Sequence, residues 1–90
     1  MTENSLYDLI NSALALAQKQ LPHIRGNISK IVEEGIQDPR TIEYQLDEIL
    51  NYVPLGIGYE EFKQLNEYYR SIDGEGAESY EAIFNEFTEE

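Results

Sequence analysis

The sequence has no cysteine and no tryptophan, and it contains a single histidine. Without cysteine the chain forms no disulfide bond and no thiolate metal site, so a hydrophobic core must stabilise the fold alone. A Cys/His catalytic dyad is excluded, and any metal site would need oxygen ligands throughout. These absences remove the commonest routes to catalysis and to covalent stabilisation.

Long apolar runs are also missing. No stretch approaches the roughly 20 apolar residues of a membrane-spanning helix, and the first residues lack the positively charged leader of a secretory signal. We therefore expect a soluble, cytoplasmic protein with no membrane partner. A length of 90 residues predicts one domain, residues 1–90, with a small core.

Basic residues are scarce, because six Lys and Arg stand against 18 Asp and Glu, for a net charge of −12. Residues 1–40 hold five acidic and four basic side chains (net −1), whereas residues 41–90 hold thirteen and two (net −11). Binding to nucleic acid through its phosphates requires a basic face, and anionic membranes are disfavoured for the same reason. We expect no direct nucleic-acid partner.

Apolar residues recur with helical spacing along most of the chain, and no alternating strand pattern is present. The pattern predicts an all-α, compact single-domain bundle of four to five short helices. These helices are expected near residues 5–20, 23–34, 39–52, 59–72 and 76–87. Pro22, the loop VPLGIG (53–58) and the turn DGEG (73–76) set the boundaries.

Three sequence signals mark helix starts. Ser5 followed by Asp8 resembles a capping box, Asp38 precedes Pro39 as an N-cap does, and Asp73 precedes the last helix. The first helix is expected to turn an apolar stripe inward. This stripe comprises Leu6, Leu9, Ile10, Ala13, Leu14, Ala17 and Leu21.

The carboxylates form no recognisable catalytic or metal-binding pattern. A calcium loop counted from Asp73 fails at the positions of Ala77, Glu78 and Phe84, where a ligand, a glycine and a glutamate are required. Adjacent acids such as Glu33 and Glu34 point about 100° apart on a helix, so they do not converge on one substrate atom. We predict a non-enzymatic protein with no cofactor and no bound metal.

The acidic half also carries tyrosines that fall off the predicted inward stripes. An exposed tyrosine cluster ringed by carboxylates suits the capture of a basic protein surface, because acids steer association and tyrosines supply a desolvated anchor. The candidate partner-binding residues are Tyr52, Tyr59, Glu60, Glu61, Tyr68, Asp73, Glu75, Glu78 and Glu81.

In size, charge and surface type the chain resembles small acidic helical proteins that neutralise nucleases, such as bacterial immunity proteins. No motif of such a family is present, so the resemblance assigns no residue roles. We predict an inhibitor, immunity protein or antitoxin that neutralises a basic partner, such as a bacterial nuclease toxin. Two alternatives stay open: a phage-type nucleic-acid mimic that blocks a DNA- or RNA-binding protein, and a regulatory or structural adaptor that binds through Leu55 and Ile57.

Overall fold

Four α-helices make up the computed structural model, which describes the backbone of residues 2–89 and the side chains of residues 6–89. The helices are α1 (Thr2–Glu34), α2 (Pro39–Leu50), α3 (Tyr59–Arg70) and α4 (Gly74–Thr88), with a short 3₁₀ turn at Val53–Leu55. Residues 2–89 contain no β-strand, so the predicted all-α bundle is confirmed. In this described range, no helix combines the length and the apolar character needed to cross a membrane.

The first helix is longer than predicted. Its 33 residues correspond to about 50 Å of helix, and the longest dimension of the molecule is 50 Å. The predicted separation into helices 5–20 and 23–34 is therefore wrong. Pro22 lies inside α1 and removes one backbone donor, but its ring faces solvent and the helix continues on both sides. The predicted start at Ser5 is also wrong, because α1 already begins at Thr2.

The core lies between the second half of α1 and the three later helices. The inward faces predicted for the later helices are confirmed for α2 and α3. The buried apolar side chains are Ile24, Ile28, Ile31, Ile42, Leu46, Ile49, Leu50, Val53, Phe62, Leu65, Tyr69, Ala77 and Phe84, together with Ala17. Hydrophobic burial at the meeting of four helices thus holds this small fold together.

The last turns of α4 are less covered than predicted. The helical spacing of apolar residues in the sequence predicts a covered face on this helix, but Ile83 and Phe87 are both exposed. Tyr59 opens α3 and meets Phe84 edge-on, with 5.4 Å between ring centroids. Because α3 and α4 run antiparallel, this contact places the last turns of α4 beside the start of α3.

The first half of α1 extends beyond the core, and we call residues 6–16 the α1 arm. The predicted inward stripe is wrong in this arm, where Leu6 is 65% exposed and Leu9 is 68% exposed. The reason is geometric, because helices α2 to α4 have only 12 to 15 residues, or about 18–22 Å. Helices of that length cover only the second half of α1.

Helix ends and caps agree with the sequence signals in part. Helices α2 and α3 each end two residues before the predicted position, and α4 begins two residues earlier. Asp38 precedes Pro39 as predicted but makes no cap hydrogen bond; its carboxylate accepts the Thr41 hydroxyl at 2.9 Å instead. Asp73 does cap α4, because its Oδ1 accepts the Gly76 N–H at 3.0 Å.

Pro22 provides a test of the continuous α1. We expect Pro22→Ala to stabilise the protein by roughly 1–3 kcal/mol, because a proline in a helix interior costs about 3 kcal/mol relative to alanine. Part of that gain is offset by the greater freedom of the unfolded chain. Urea unfolding followed by circular dichroism gives the free energy of unfolding.

Pro39→Ala is the matched control, because Pro39 stands at the start of α2, where proline is favourable. This substitution is expected to lower stability by about 0.4–1 kcal/mol. A loss of stability in Pro22→Ala as well would contradict a continuous α1 and support the two-helix arrangement.

Candidate protein-binding face

Three of the predicted partner-binding residues are not exposed as expected. Glu61 is buried, and its Oε2 accepts a hydrogen bond from Arg25 Nε at 2.6 Å. Tyr68 is half-buried, and its hydroxyl donates to the Ile36 carbonyl at 2.8 Å. Tyr52 is half-buried against the core. These side chains join helices or extend the core, so little of their surface is left for a partner.

The other predicted residues lie in two separate places. Tyr59 and Glu60 are exposed at the start of α3, whereas Asp73, half-buried, and Glu75, exposed, lie at the start of α4. The 12 residues of α3, about 16 Å from first to last, separate these groups. The structure therefore does not collect the predicted residues into one patch, and their role in binding stays a prediction.

Part of the remaining acidic charge is neutralised within the chain. Glu78 and Glu81 are exposed on α4, and Glu81 Oε1 accepts a hydrogen bond from an Arg70 guanidinium nitrogen at 2.5 Å. This hydrogen bond raises the pKa of Arg70 above its usual value. The surface near Glu81 consequently carries less free negative charge than its sequence predicts.

A different group of carboxylates is brought together by α2 and the beginning of α4. We call Glu43, Asp47 and Asp73, with the tyrosines Tyr69 and Tyr80, the acidic face. Tyr80 donates its hydroxyl proton to Asp47 Oδ1 at 2.9 Å. Tyr69 donates to Glu43, and the same hydroxyl lies 3.4 Å from Asp73 Oδ2. Glu43 and Asp47 are four residues apart on α2, so the sequence places them on one side of this helix but does not reveal the tyrosines opposite them.

Among residues 6–89, the carboxylates of the acidic face form no ion pair. None of the three ion pairs found among residues 6–89 includes Glu43, Asp47 or Asp73. Neighbouring like charges destabilise a folded chain, and the tyrosine hydroxyls reduce this cost by donating hydrogen bonds. Because a neutral hydroxyl adds no positive charge, the face keeps its full negative charge.

The two tyrosines of this face keep their protons at neutral pH. Burial raises the pKa of Tyr69, and the hydrogen bond to Glu43 raises this pKa further. Burial is also the main cause that raises the pKa of Tyr80, followed by its hydrogen bond to Asp47. Both hydroxyls are therefore fixed donors that hold the carboxylates in one arrangement.

Gly76 makes room for this arrangement. A Cβ atom at position 76 would lie 2.8 Å from the Tyr69 Oη and 2.9 Å from Asp73 Oδ2. Tyr69 is fully buried, and close packing leaves its ring little freedom to move away. The sequence predicts that the DGEG turn separates two helices. The structure shows in addition that Gly76, the second glycine of this turn, leaves room for the Tyr69 hydroxyl of α3.

Tyr44 adds an exposed aromatic side chain beside the acidic face. It is 69% exposed and precedes Asp47 by three residues on α2, so the two are neighbours on the helix surface. Tyr44 also lines a groove of about 520 Å³ that includes Lys30 and Arg40. Tyr44 therefore has the exposure that a binding anchor needs.

A groove between α3 and α4 holds a polar feature that periodicity did not reveal. Asn66 is buried, its Nδ2 donates to the Ala77 carbonyl at 2.9 Å, and its Oδ1 accepts no hydrogen bond from residues 6–89. The groove, about 280 Å³, is also lined by Phe62 and Phe84. An unpaired buried acceptor costs about 1–3 kcal/mol, so this groove is a less stable part of the core.

The acidic face is not arranged as a metal site. Throughout the described ranges, no group of three or more His, Cys, Asp or Glu side chains is placed to hold a metal ion. Comparisons with models of protein families, with curated proteins and with solved structures found no match. The face is therefore interpreted from its own geometry.

The contact between Gly76 and Tyr69 can be tested by adding one methyl group. Gly76→Ala should lower the free energy of unfolding by about 1–3 kcal/mol, since forcing extra atoms into a packed site costs this much. Alanine otherwise favours a helix over glycine, so helix propensity alone predicts the opposite sign. Thermal and urea unfolding measure the change.

Gly74→Ala is the matched control, because a Cβ at this first residue of α4 meets no atom within 4 Å. It should leave stability unchanged or raise it slightly. Equal effects of the two substitutions would contradict a specific contact between Tyr69 and residue 76.

The raised tyrosine pKa values predict a loss of stability in alkaline solution. The folded protein keeps the Tyr69 and Tyr80 protons at a pH where the unfolded chain loses them. The resulting stabilisation is complete below the ordinary tyrosine pKa of about 10 and falls as the pH rises toward the folded-state pKa. Urea unfolding at a series of pH values should show this decline.

Tyr80→Phe removes one of the two protons concerned and should make the decline less steep. Asp47→Asn keeps the ring but removes the nearby charge, so tyrosine absorbance should report ionisation at a lower pH. Glu78→Gln, which removes a charge that does not contact Tyr80, is the control. An alkaline decline of unchanged slope in Tyr80→Phe would contradict the role given to this hydroxyl.

Proposed function

We propose that the chain is a non-enzymatic acidic domain that binds a basic surface of a partner protein and blocks it. The observation that carries the proposal is the acidic face, where carboxylates of α2 and of the α4 cap lie together and form no ion pair with a base among residues 6–89. The charge excess of residues 41–90, thirteen acids against two bases, supports the same conclusion.

Fixed carboxylates suit recognition better than mobile ones. The hydroxyls of Tyr69 and Tyr80 hold Glu43 and Asp47 in place before a partner arrives, so less freedom is lost on binding. Lysine or arginine side chains of the partner supply the missing positive charge. The overall charge of −12 draws such a partner in over about one Debye length, roughly 8–10 Å in physiological salt.

Tyr44 is the proposed aromatic anchor of this surface. Its exposed ring lies next to Asp47 on α2, and tyrosine surrounded by polar groups is a common source of binding energy in protein interfaces. The proposed surface therefore differs from the one predicted from the sequence: Asp73 remains, Glu43 and Asp47 of α2 join it, and Tyr44 takes the place of Tyr68.

A nuclease inhibitor is the class of protein that fits these properties best. The substrate site of a nuclease is basic because it binds phosphates, and an acidic protein that covers it blocks the enzyme. A bacterial immunity protein or antitoxin in the cytoplasm is the specific form we favour. The adaptor alternative draws support from another surface, the exposed α1 arm, and less from Leu55 and Ile57, of which Ile57 is half-buried.

The first experiment is capture of a partner. The purified chain is immobilised and exposed at low salt to a lysate of the cells that produce it, and bound proteins are released by a salt gradient. We expect a basic protein, released at moderate salt, whose nuclease activity falls when the chain is added. Retention of no basic protein at low salt would refute the proposal.

The acidic face is then tested with the captured partner. The double variant Glu43→Gln/Asp47→Asn should slow association at least about fivefold, because opposite charges across an interface mainly accelerate encounter. Both amides still accept the tyrosine hydroxyl protons, so the fold is expected to persist. Stopped-flow or surface-based kinetics at several salt concentrations measure the association rate.

The matched control is Glu86→Gln/Glu89→Gln, which removes the same two charges from exposed positions at the far end of α4. It should change the association rate less than about twofold. If both double variants slow association equally, net charge alone governs binding and the assignment to the acidic face is wrong.

A further inference from the structure

The α1 arm presents an apolar face that no other side chain of residues 6–89 covers fully. Its large apolar side chains fall within an arc of about 180° around the helix, in line with Ile24 and Ile28, which are buried in the core. Asp8, Asn11 and Ser12 occupy the opposite side. The exposed members of the face, between 46% and 70% exposed, are Leu6, Tyr7, Leu9, Ile10 and Leu16.

The area of this face is enough for a specific interface between two copies. Side chains of this size and exposure offer on the order of 100 Å² of apolar surface each. Five of them provide about 500 Å² per copy and about 1,000 Å² in a pair, which reaches the lower limit for a specific protein interface. Monomeric proteins rarely expose a contiguous apolar patch of this extent without a use for it.

The distribution of charge makes the arm the natural contact between two copies. No charged residue lies between Asp8 and Lys19, whereas residues 19–90 hold sixteen acids and six bases, a net charge of −10. Two arms can therefore meet without bringing like charges together. We call residues 19–90 the acidic body of each copy. Parallel arms would place the two acidic bodies side by side. Antiparallel arms place them at opposite ends of the pair, further apart than the Debye length of about 8 Å.

The order of large and small residues also favours the antiparallel orientation. The central line of the face reads Leu6, Ile10 and Ala13, and it leads into the core at Ala17, which is already buried. In an antiparallel pair Ile10 meets Ala13 of the other copy, so a large side chain fills the space beside a small one. A parallel pair would set Ile10 against Ile10 and Ala13 against Ala13, which crowds one level and leaves a gap at the other.

We propose that two copies of this chain form a symmetric dimer through antiparallel α1 arms, with Ile10 of each copy against Ala13 of the other. In this register the tip of one arm, at Leu6, is level with the base of the other, at Ala17. A cavity of about 390 Å³ lies beside that base and is lined in part by Leu21, Ile57 and Tyr59. Each arm tip covers the mouth of the partner's cavity.

Analytical ultracentrifugation of the full chain, from low micromolar to several hundred micromolar, tests the dimer. We expect a concentration-dependent change from one chain mass to two. Ile10→Asp should raise the dissociation constant at least about 100-fold, because it buries a charge in the interface. Ile10 is outside the core of the single chain, so the near-ultraviolet tyrosine signal of the core should persist.

Ser12→Asp is the matched control, since it adds the same charge to the opposite side of the arm. It should change the dissociation constant less than about threefold. A chain that remains monomeric at every concentration overturns the proposal, and so does equal disruption by the two variants. A monomer that binds uncharged phosphatidylcholine vesicles through the arm would assign this face to lipid instead and likewise overturn the dimer.

Orientation is tested with engineered cysteines, because the natural chain has none. A mixture of Ile10→Cys and Ala13→Cys chains should form a disulfide-linked pair on mild oxidation. Leu6→Cys alone should not, because in the antiparallel register the two Leu6 positions are about 16 Å apart along the axis, beyond disulfide reach. Efficient linkage of Leu6→Cys to itself would overturn the antiparallel arrangement.

The dimer and the proposed function are independent. Ile10→Asp leaves Glu43 and Asp47 in place, so capture of a basic partner by this variant tests the acidic face alone. Glu43→Gln/Asp47→Asn leaves the α1 arm intact, so dimer formation by that variant tests the arm alone. Loss of one property without the other identifies which proposal has failed.

Discussion

The hydroxyl of Tyr69 is the contact on which the later half of the fold depends. The ring is fully buried in α3, yet its hydroxyl donates to Glu43 of α2 and lies beside Asp73, which caps α4. One side chain therefore fixes three helices relative to one another. Gly76 is part of the same constraint, because any larger residue there would collide with that hydroxyl. The positions of the acidic side chains follow from this buried tyrosine rather than from ion pairs.

This way of holding carboxylates has a consequence for the surface. An arginine in place of Tyr69 would fix the same acids but would cancel one of their charges, whereas a neutral hydroxyl orders them and leaves the charge free. The arrangement keeps a like-charge repulsion that destabilises the fold, and the apolar core of four helices must offset it. A domain with these properties is well suited to a partner that brings the positive charge itself.

Sequence periodicity predicted the fold class and the inward faces of α2 and α3, because the spacing of apolar residues decides locally which side of a helix is buried. The predicted helix break at Pro22 and the predicted inward stripe of the α1 arm are wrong. Whether the arm is buried depends on the lengths of the other helices, which no local pattern contains. The burial of Glu61 depends on Arg25, which lies 36 residues earlier, so no local pattern could reveal it. The spacing of Glu43 and Asp47 places both on one side of α2, but no local pattern reveals their tyrosine partners on α3 and α4.

The acidic face and the apolar face of the α1 arm differ in chemistry. The negative charge of the chain limits the ways in which two arms can meet. Contact through the apolar face of the α1 arm requires the strongly acidic parts of the two copies to stay apart, which the proposed antiparallel orientation achieves. That orientation also leaves an acidic face free at each end of the pair. A partner with two basic sites at the matching distance would then bind with higher avidity than a single face allows. The same excess of carboxylates thus underlies both the proposed attraction to a basic partner and the antiparallel geometry of the proposed dimer.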